Sequence, residues 1–341
     1  MLAASAGDGG VLVREHDEPE VEPGGLLVRM AACGICGSDV EKVFGRYGRP
    51  SMRLGHEPAG TVEAVGPGTR GFEVGDRVFT HHHVPCYDCR LCSRGHETLC
   101  PRYSESNLDP CGLAEVYSVP EWNVSRGGVL RLADSTTFEE AALIEPLACC
   151  LRAWSRMPAR EGDTAAIFGA GATGLMHAMI ALSRGFSRVV CADTNRFRLG
   201  RAEEIGAAVV DASDPGRVGL VRELAGGGAD VAVVAAGSMG ALSDAADSVR
   251  EGGHVMMFGV PQPGARISAD MGAVYSREAT LHTSYAASDR DTREALALIE
   301  SSAMDVAGLV THRYGLADSA EAFEHARGGG SAVKIVITGK A

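Results

Sequence analysis

The run TAAIFGAGATG, residues 164 to 174, sets a strand-like apolar stretch directly against three glycines, and helical spacing resumes in LMHAMIALSR. No other feature narrows the fold as far. A strand that feeds a helix through a tight G-x-G-x-x-G turn is half of a βαβ unit, and such units build a parallel sheet with helices on both faces. The alternation persists downstream: predicted strand RVVCAD, helix RFRLGRAEEIG, strand VVDA, helix RVGLVRELA, strand ADVAVVAA, helix GALSDAADSVREGG, then strands HVMMFGV and TLHTSY. A doubly wound domain is the expected result.

Each glycine of the turn has a physical task. Gly169 permits the sharp bend, Gly171 lets a pyrophosphate approach the backbone, and Gly174 allows helix and strand to pack closely. The phosphate then meets free N–H groups at the helix start. In a chain with 44 glycines the motif alone would pass for a surface turn, and its flanking strand and helix lift it above that. Asp193 ends the next predicted strand nineteen positions after Gly174, where an acid binds the adenosine ribose hydroxyls. Its charge would repel the extra phosphate of NADP, so NAD is the expected cofactor, with Arg196 and Arg198 as the groups that would favour NADP.

Before Glu161 the pattern differs. EPGG, GRYGRP, GPGTRG and EVGDRV interrupt short β-rich runs such as LLVRM, TVEAV and DRVF, as in an all-β domain with long loops. At 341 residues the chain exceeds a single core, which stops growing near ~250 to 300 residues. The expected class is α/β plus β: a β domain over 1–152, the doubly wound domain over 153–287, and a segment 288–341. The final predicted strand, in AVKIVITGK, has no following helix and should return to the first domain.

The net charge of -12, from 32 Lys plus Arg against 44 Asp plus Glu, repels phosphate backbones and anionic lipid, so neither nucleic acid nor membrane is an expected partner. The most membrane-like run, residues 165 to 183, is broken by glycines, a histidine and hydroxyls. MLAASAGDGG lacks the basic and apolar regions of a secretory signal, so a cytoplasmic location is expected. There, ten cysteines point to metal or catalysis rather than to disulfides.

Cys86, Cys89, Cys92 and Cys100 follow C-x-x-C-x-x-C-x7-C within a polar loop. Four thiolates so close together match a closed tetrahedral zinc site with no position for substrate, which makes that zinc structural. A second, dispersed set comprises Cys36 in CGICGSD, His56 and Glu57 in LGHEPAG, and Glu145 in LIEPLA. A catalytic zinc uses few, mixed ligands from separate segments and keeps one position open. By spacing alone, His56 beside Glu57 is more often a satisfied polar pair than a ligand set. Cys33, Cys111, Cys149, Cys150 and Cys191 read as small buried residues, and Trp122 and Trp154 as packing anchors.

CGICGSD, LGHEPAGTVEAVG, VGDRVF, the four-cysteine loop, IEPLA and FGAGATG occur in one order, and together they resemble the zinc-dependent medium-chain alcohol and polyol dehydrogenases, nearest to sorbitol and threonine dehydrogenases. The resemblance covers nearly the whole chain. It implies a GroES-like β domain with an inserted Rossmann domain. It makes Cys36 and His56 zinc ligands, Glu57 a ligand that comes and goes, and Glu145 a third ligand acting directly or through water. Ser38 is similar to the hydroxyl that passes the substrate proton, with Asp39 supporting it, and His83 falls where threonine dehydrogenases carry an active-site histidine. VMMFGV, ending at Val260, matches the strand that approaches the nicotinamide.

Two departures stand out. Family members often carry a histidine five residues after the first zinc cysteine, and Glu41 takes that place; a carboxylate near ~4.3 would relay protons with a different pH dependence from a histidine near ~6.5. Where sorbitol dehydrogenases place an arginine before a tyrosine, Ser284 precedes Tyr285, so sorbitol itself is not carried over.

The implied activity is NAD-linked oxidation of a polyol, sugar, other secondary alcohol or a hydroxy-amino acid such as L-threonine. It would use one catalytic and one structural zinc in a homo-oligomer, tetramer or dimer. The rival readings are a zinc-free quinone reductase or crystallin-like relative, and a non-catalytic NAD-binding protein.

Overall fold

The computed structural model describes residues 1–7, 9–45, 53–267 and 270–339. The chain divides into two compact units, Met1–Ala148 with Ala286–Ala341, and Cys149–Tyr285.

The second unit is the parallel sheet that the alternation predicts. Its six strands are Thr164–Phe168, Arg188–Asp193, Ala208–Asp211, Ala229–Val234, Val249–Met257 and Thr280–Thr283. Every neighbouring pair is parallel, and in chain count the order across the sheet is third, second, first, fourth, fifth, sixth. The order reverses between Thr164–Phe168 and Ala229–Val234, and at such a reversal the strand ends open a crevice for ligands. Both strands are almost wholly apolar and buried, as strands covered on two faces must be. Asn195 starts the helix Arg196–Glu204 by accepting N–H bonds from Phe197 at 3.0 Å and Arg198 at 3.2 Å. Trp154 is buried edge-on against Phe186, a packing anchor as expected.

The first unit is built on a sheet ordered Val310–Gly315, Lys334–Thr338, Leu26–Gly34, Pro58–Val65, Arg77–Thr80, Val129–Arg131, with Val116–Val119 also paired to Leu26–Gly34. Lys334–Thr338 runs antiparallel to Leu26–Gly34, with Val336 opposite Gly34, so the closing segment completes the sheet begun by the opening one. Leu26, Met30, Leu54, Leu113, Tyr117 and Phe323 form its core. The buried Tyr117 hydroxyl is satisfied by Thr80 Oγ1 at 2.9 Å.

Two adjacent strands of this sheet position the site. Leu26–Gly34 and Pro58–Val65 are antiparallel with Cys33 opposite Pro58, so the residues leaving one strand, Cys36 among them, meet those entering the other, His56 and Glu57. Among the described residues, no helix is long and apolar enough to cross a membrane.

Candidate metal centres and dinucleotide site

Cys36 stands in extended conformation just before the helix Gly37–Phe44, facing the turn that carries His56 and Glu57. Ligand atoms of Cys36, His56 and Glu57 all lie within 4.8 Å of one another. His56 Nδ1 donates to Oδ1 of the fully buried Asp39 at 3.3 Å, and the same nitrogen stands 3.2 Å from Oδ2 as an ion-pair contact. This fixes the tautomer and leaves Nε2 as the nitrogen able to bind a metal. Burial opposes charge on both groups, yet their attraction holds Asp39 well below the usual carboxylate range and raises His56 above an ordinary imidazole. Lys42, one turn along the helix, adds a bond to Asp39 Oδ1 at 3.0 Å.

A thiol, an imidazole and a carboxylate from separate segments suit a zinc with an open position. Glu57 is fully buried, and its Oε1 has no hydrogen-bond partner among the described residues, which leaves an oxygen for a cation. Its Oε2 pairs with Lys334, a buried lysine that also donates to the Ile35 carbonyl at 3.1 Å. Burial works against the Lys334 charge, but Glu57 and Cys36 hold its pKa above the ordinary value. Lys334 was not singled out by the sequence reasoning. Its signal was a lone cation in the apolar strand AVKIVIT.

Glu145 is buried in the first turn of the helix Ile144–Ser155, within electrostatic reach of Lys334 but outside the three-residue group. Ser38 is half-buried on the helix after Cys36, and Glu41, three residues on, is exposed. That spacing puts both on one helix face.

The three histidines divide. His81 and His83 both pack on Tyr103, with ring centroids 6.4 and 5.4 Å away, and His83 Nδ1 bonds the Ser106 carbonyl at 2.8 Å. His82 turns the other way, its ring 5.2 Å from His56 and 4.1 Å from His83. Burial lowers the pKa of all three, His81 to about 3.

The four cysteines converge as their spacing predicts. Cys86 lies 3.4 Å from Cys100 and 4.0 Å from Cys92, and Cys89 lies 3.5 Å from Cys92, all between sulfurs. A tetrahedron with Zn–S bonds of ~2.3 Å has edges of ~3.8 Å, so the cluster fits a zinc. The Cys92 backbone N–H draws the Cys89 thiol down to about 7, whereas burial pushes Cys92 up to about 12. The loop is braced by Tyr87, in the left-handed region at φ 62, whose hydroxyl bonds Asp289, and by Tyr103, whose hydroxyl donates to the Ala287 carbonyl at 2.5 Å. Trp122 donates to the Val84 carbonyl at 2.9 Å beneath two arginines, so it anchors the same segment. Cys33, Cys111, Cys150 and Cys191 are buried and Cys149 half-buried, without metal-like grouping among the described residues.

In the second unit Gly169 adopts φ 102, and its N–H bonds the Ala192 carbonyl at 2.8 Å. A Cβ on Gly174 would collide with the Gly169 carbonyl oxygen, the close approach the motif requires. Gly171 caps the helix Ala172–Ser183 without a side chain, leaving the first-turn N–H groups for a phosphate. A Cβ on Gly171 would lie 3.8 Å from the Arg198 guanidinium, so this arginine stands beside the phosphate approach. Asp193 accepts N–H bonds from Ala170 at 2.6 Å and Asn195 at 2.8 Å, bracing the turn. Arg196 is exposed and reaches Asp211 at 3.9 Å. Val260 is exposed just beyond the strand Val249–Met257 and Tyr285 just beyond Thr280–Thr283, and Ser284 Oγ is buried with no partner among the described residues.

Comparison with known proteins bears on both units. Residues 22–128 match the alcohol dehydrogenase GroES-like domain, and residues 172–301 match the zinc-binding dehydrogenase domain. A D-altritol 5-dehydrogenase of Agrobacterium fabrum is 31% identical over 91% of this chain and 91% of its own length. A sorbitol dehydrogenase of Bombyx mori is 32% identical over 96% of this chain and 95% of its own. The solved alcohol dehydrogenase TADH from Thermus sp. ATN1 superposes with a TM-score of 0.88 at 27% identity, covering 100% of both chains.

Proposed function

The chain belongs to the zinc-dependent medium-chain alcohol and polyol dehydrogenase family, and from that premise we propose that it transfers a hydride between a polyol, sugar or other secondary alcohol and NAD. L-Threonine and related hydroxy-amino acids form a second substrate class. The observation that carries the reading is the meeting of Cys36, His56 and Glu57 within 4.8 Å, a mixed donor set in a chain that also holds the glycine turn. When bound there, zinc supplies Lewis-acid polarisation of an alcohol oxygen.

The chain's own residues do the rest. Asp39 orients His56, and Lys334 holds Glu57 by one oxygen while the other stays available. Ser38 takes the alcohol proton, and the exposed Glu41 on the same helix face delivers it to water. Glu145, buried in reach of Lys334, adds negative charge to the donor set. His83 lines the site from behind His82. The N–H groups after Gly171, with Arg198, hold the pyrophosphate, and Val260 lies near the nicotinamide. A structural zinc on Cys86, Cys89, Cys92 and Cys100 orders their loop.

NAD is favoured over NADP because Asp193 is tied to the turn by two backbone bonds and cannot swing aside for a 2′-phosphate without losing both. Asp193→Ser should therefore lower kcat/KM for NAD and raise it for NADP, read from the ratio of the two. An unchanged ratio would count against this role. A cytoplasmic homo-oligomer, tetramer or dimer, completes the reading, and the edge strand Thr280–Thr283 with its exposed Leu281 offers a pairing surface. The test is to follow nicotinamide absorbance with purified protein, NAD or NADP, and a panel of polyols, aldoses, simple alcohols and L-threonine. Reduction with at least one polyol or secondary alcohol is expected, and silence across the panel would refute the reading.

A further inference from the structure

The geometry points to a further metal site in the second unit, where His254 Nδ1 and His282 Nε2 together chelate one divalent transition ion, Ni²⁺, Cu²⁺ or Zn²⁺, and staple the edge strand of the parallel sheet to its neighbour.

The two histidines come from adjacent parallel strands. His254 lies opposite Thr280 and Met256 opposite His282, so the histidines are diagonal neighbours on one face of the sheet, while Val255 points into the core on the other. The rings meet nitrogen to nitrogen, Nδ1 to Nε2 at 3.1 Å, with centroids 5.2 Å apart. Neither ring has another hydrogen-bond partner among the described residues, and both are half-buried, within reach of an ion from solvent. Burial, with His254 beside it, lowers the His282 pKa, so near neutral pH that ring offers a lone pair rather than a second charge.

The spacing suits a chelate as well as a hydrogen bond. Two metal–nitrogen bonds of ~2.05 Å spanning 3.1 Å meet at ~98°, between the ~90° of an octahedron and the ~109° of a tetrahedron. The ion takes the place of the proton between the rings, and the outer nitrogen of the same ring carries that proton, so two neutral imidazoles remain. Such nitrogens suit nickel, copper and zinc, whereas Mg²⁺ and Ca²⁺ take oxygen ligands. Water fills the remaining positions. The strand Thr280–Thr283 has much to gain: it pairs along one edge only, and Thr280, Leu281 and Thr283 are exposed. Cys36, His56, Glu57 and the four clustered cysteines all belong to the other unit.

The experiment adds Ni²⁺ or Mg²⁺ to the zinc-loaded full chain, freed of excess metal, as the parent, His254→Ala, His282→Ala and His325→Ala. The last is a control in the first unit, where the His325 ring lies 4.2 Å from that of His312. Equilibrium dialysis with metal analysis counts nickel bound and zinc released, and melting curves follow stability. The parent should bind one Ni²⁺ per chain with its zinc retained and melt at a higher temperature, and Mg²⁺ should do neither. His254→Ala and His282→Ala should each bind Ni²⁺ about hundredfold more weakly, because one ligand lacks the advantage of two held together, and should lose the shift in melting. His325→Ala should behave as the parent. Should an alanine variant fail to fold, judged by circular dichroism without added metal, the glutamine variant at that position takes its place with the same expected loss. No nickel bound, nickel bound only as zinc leaves, parental affinity in either variant of the pair, or a loss produced by His325→Ala instead would overturn the site.

Discussion

Lys334 and Glu57 form a buried ion pair in the first unit. Lys334 sits in an otherwise apolar strand because Glu57 needs a counter-charge in a place water does not reach. Removing one partner of a buried pair strands the other, typically at ~3–5 kcal/mol. Lys334→Met should therefore lower the denaturant midpoint sharply, and Lys334→Met with Glu57→Gln should recover most of it. A single variant as stable as the parent would show that the pair is not buried as described. His177 makes the opposite case: it is buried with both ring nitrogens unpartnered among the described residues, and burial pulls its pKa down to about 3. Its folded value lies below the unfolded ~6.5, so its titration costs nothing above that pH. As pH falls towards 3, the unfolded chain gains a proton that the folded chain refuses, and stability drops by up to ~1.4 kcal/mol per unit. Between pH 7.5 and 5 the parent should lose ~2 kcal/mol more than His177→Leu, and parallel melting curves would exclude this. Neither residue had a motif to announce it. A buried lysine or histidine differs from a surface one only through the neighbours that folding supplies, whereas the four clustered cysteines carried their chemistry in their identity and spacing, and Cys36 and His56 carried theirs in the family motifs around them.

Elements were legible where backbone physics is local. The glycine turn needs one left-handed residue and one site too tight for a Cβ, and Gly169 and Gly174 meet those needs in place. The four-thiol loop was equally readable, since a tetrahedron of sulfurs closes over a short stretch of chain. The bracing of that loop was not: Tyr87 and Tyr103 reach Asp289 and Ala287, close to two hundred residues away in sequence. His81 and His83, in the loop just after the strand Arg77–Thr80, share one side against Tyr103, while which side faces His56 depended on a separate segment of the chain. Cys100→Ser should remove one zinc per chain and lower the melting temperature while NAD binding persists, because the metal orders an element of the first unit and the dinucleotide belongs to the second. Metal analysis with calorimetric titration of NAD checks both halves, and retention of full zinc would exclude the tetrathiolate site.

At the scale of the whole molecule, the order of elements carries the function. A β unit that brings Cys36, His56 and Glu57 together is interrupted by a doubly wound unit and resumes with the strand Lys334–Thr338, which supplies the counter-charge for Glu57. The family assignment rests on that arrangement and on relatives aligned over nine-tenths of the chain or more. On the function proposed above, a metal on Cys36 and His56 would activate the alcohol, while a second on the four clustered cysteines would serve folding alone. The most direct measurement is zinc per chain and turnover of a polyol with NAD, taken together on the parent and on Cys36→Ser. Two zincs and turnover in the parent, against one zinc, an intact fold and no turnover in the variant, are predicted. A variant that keeps both zincs, or that turns over at the parent's rate, would contradict the account.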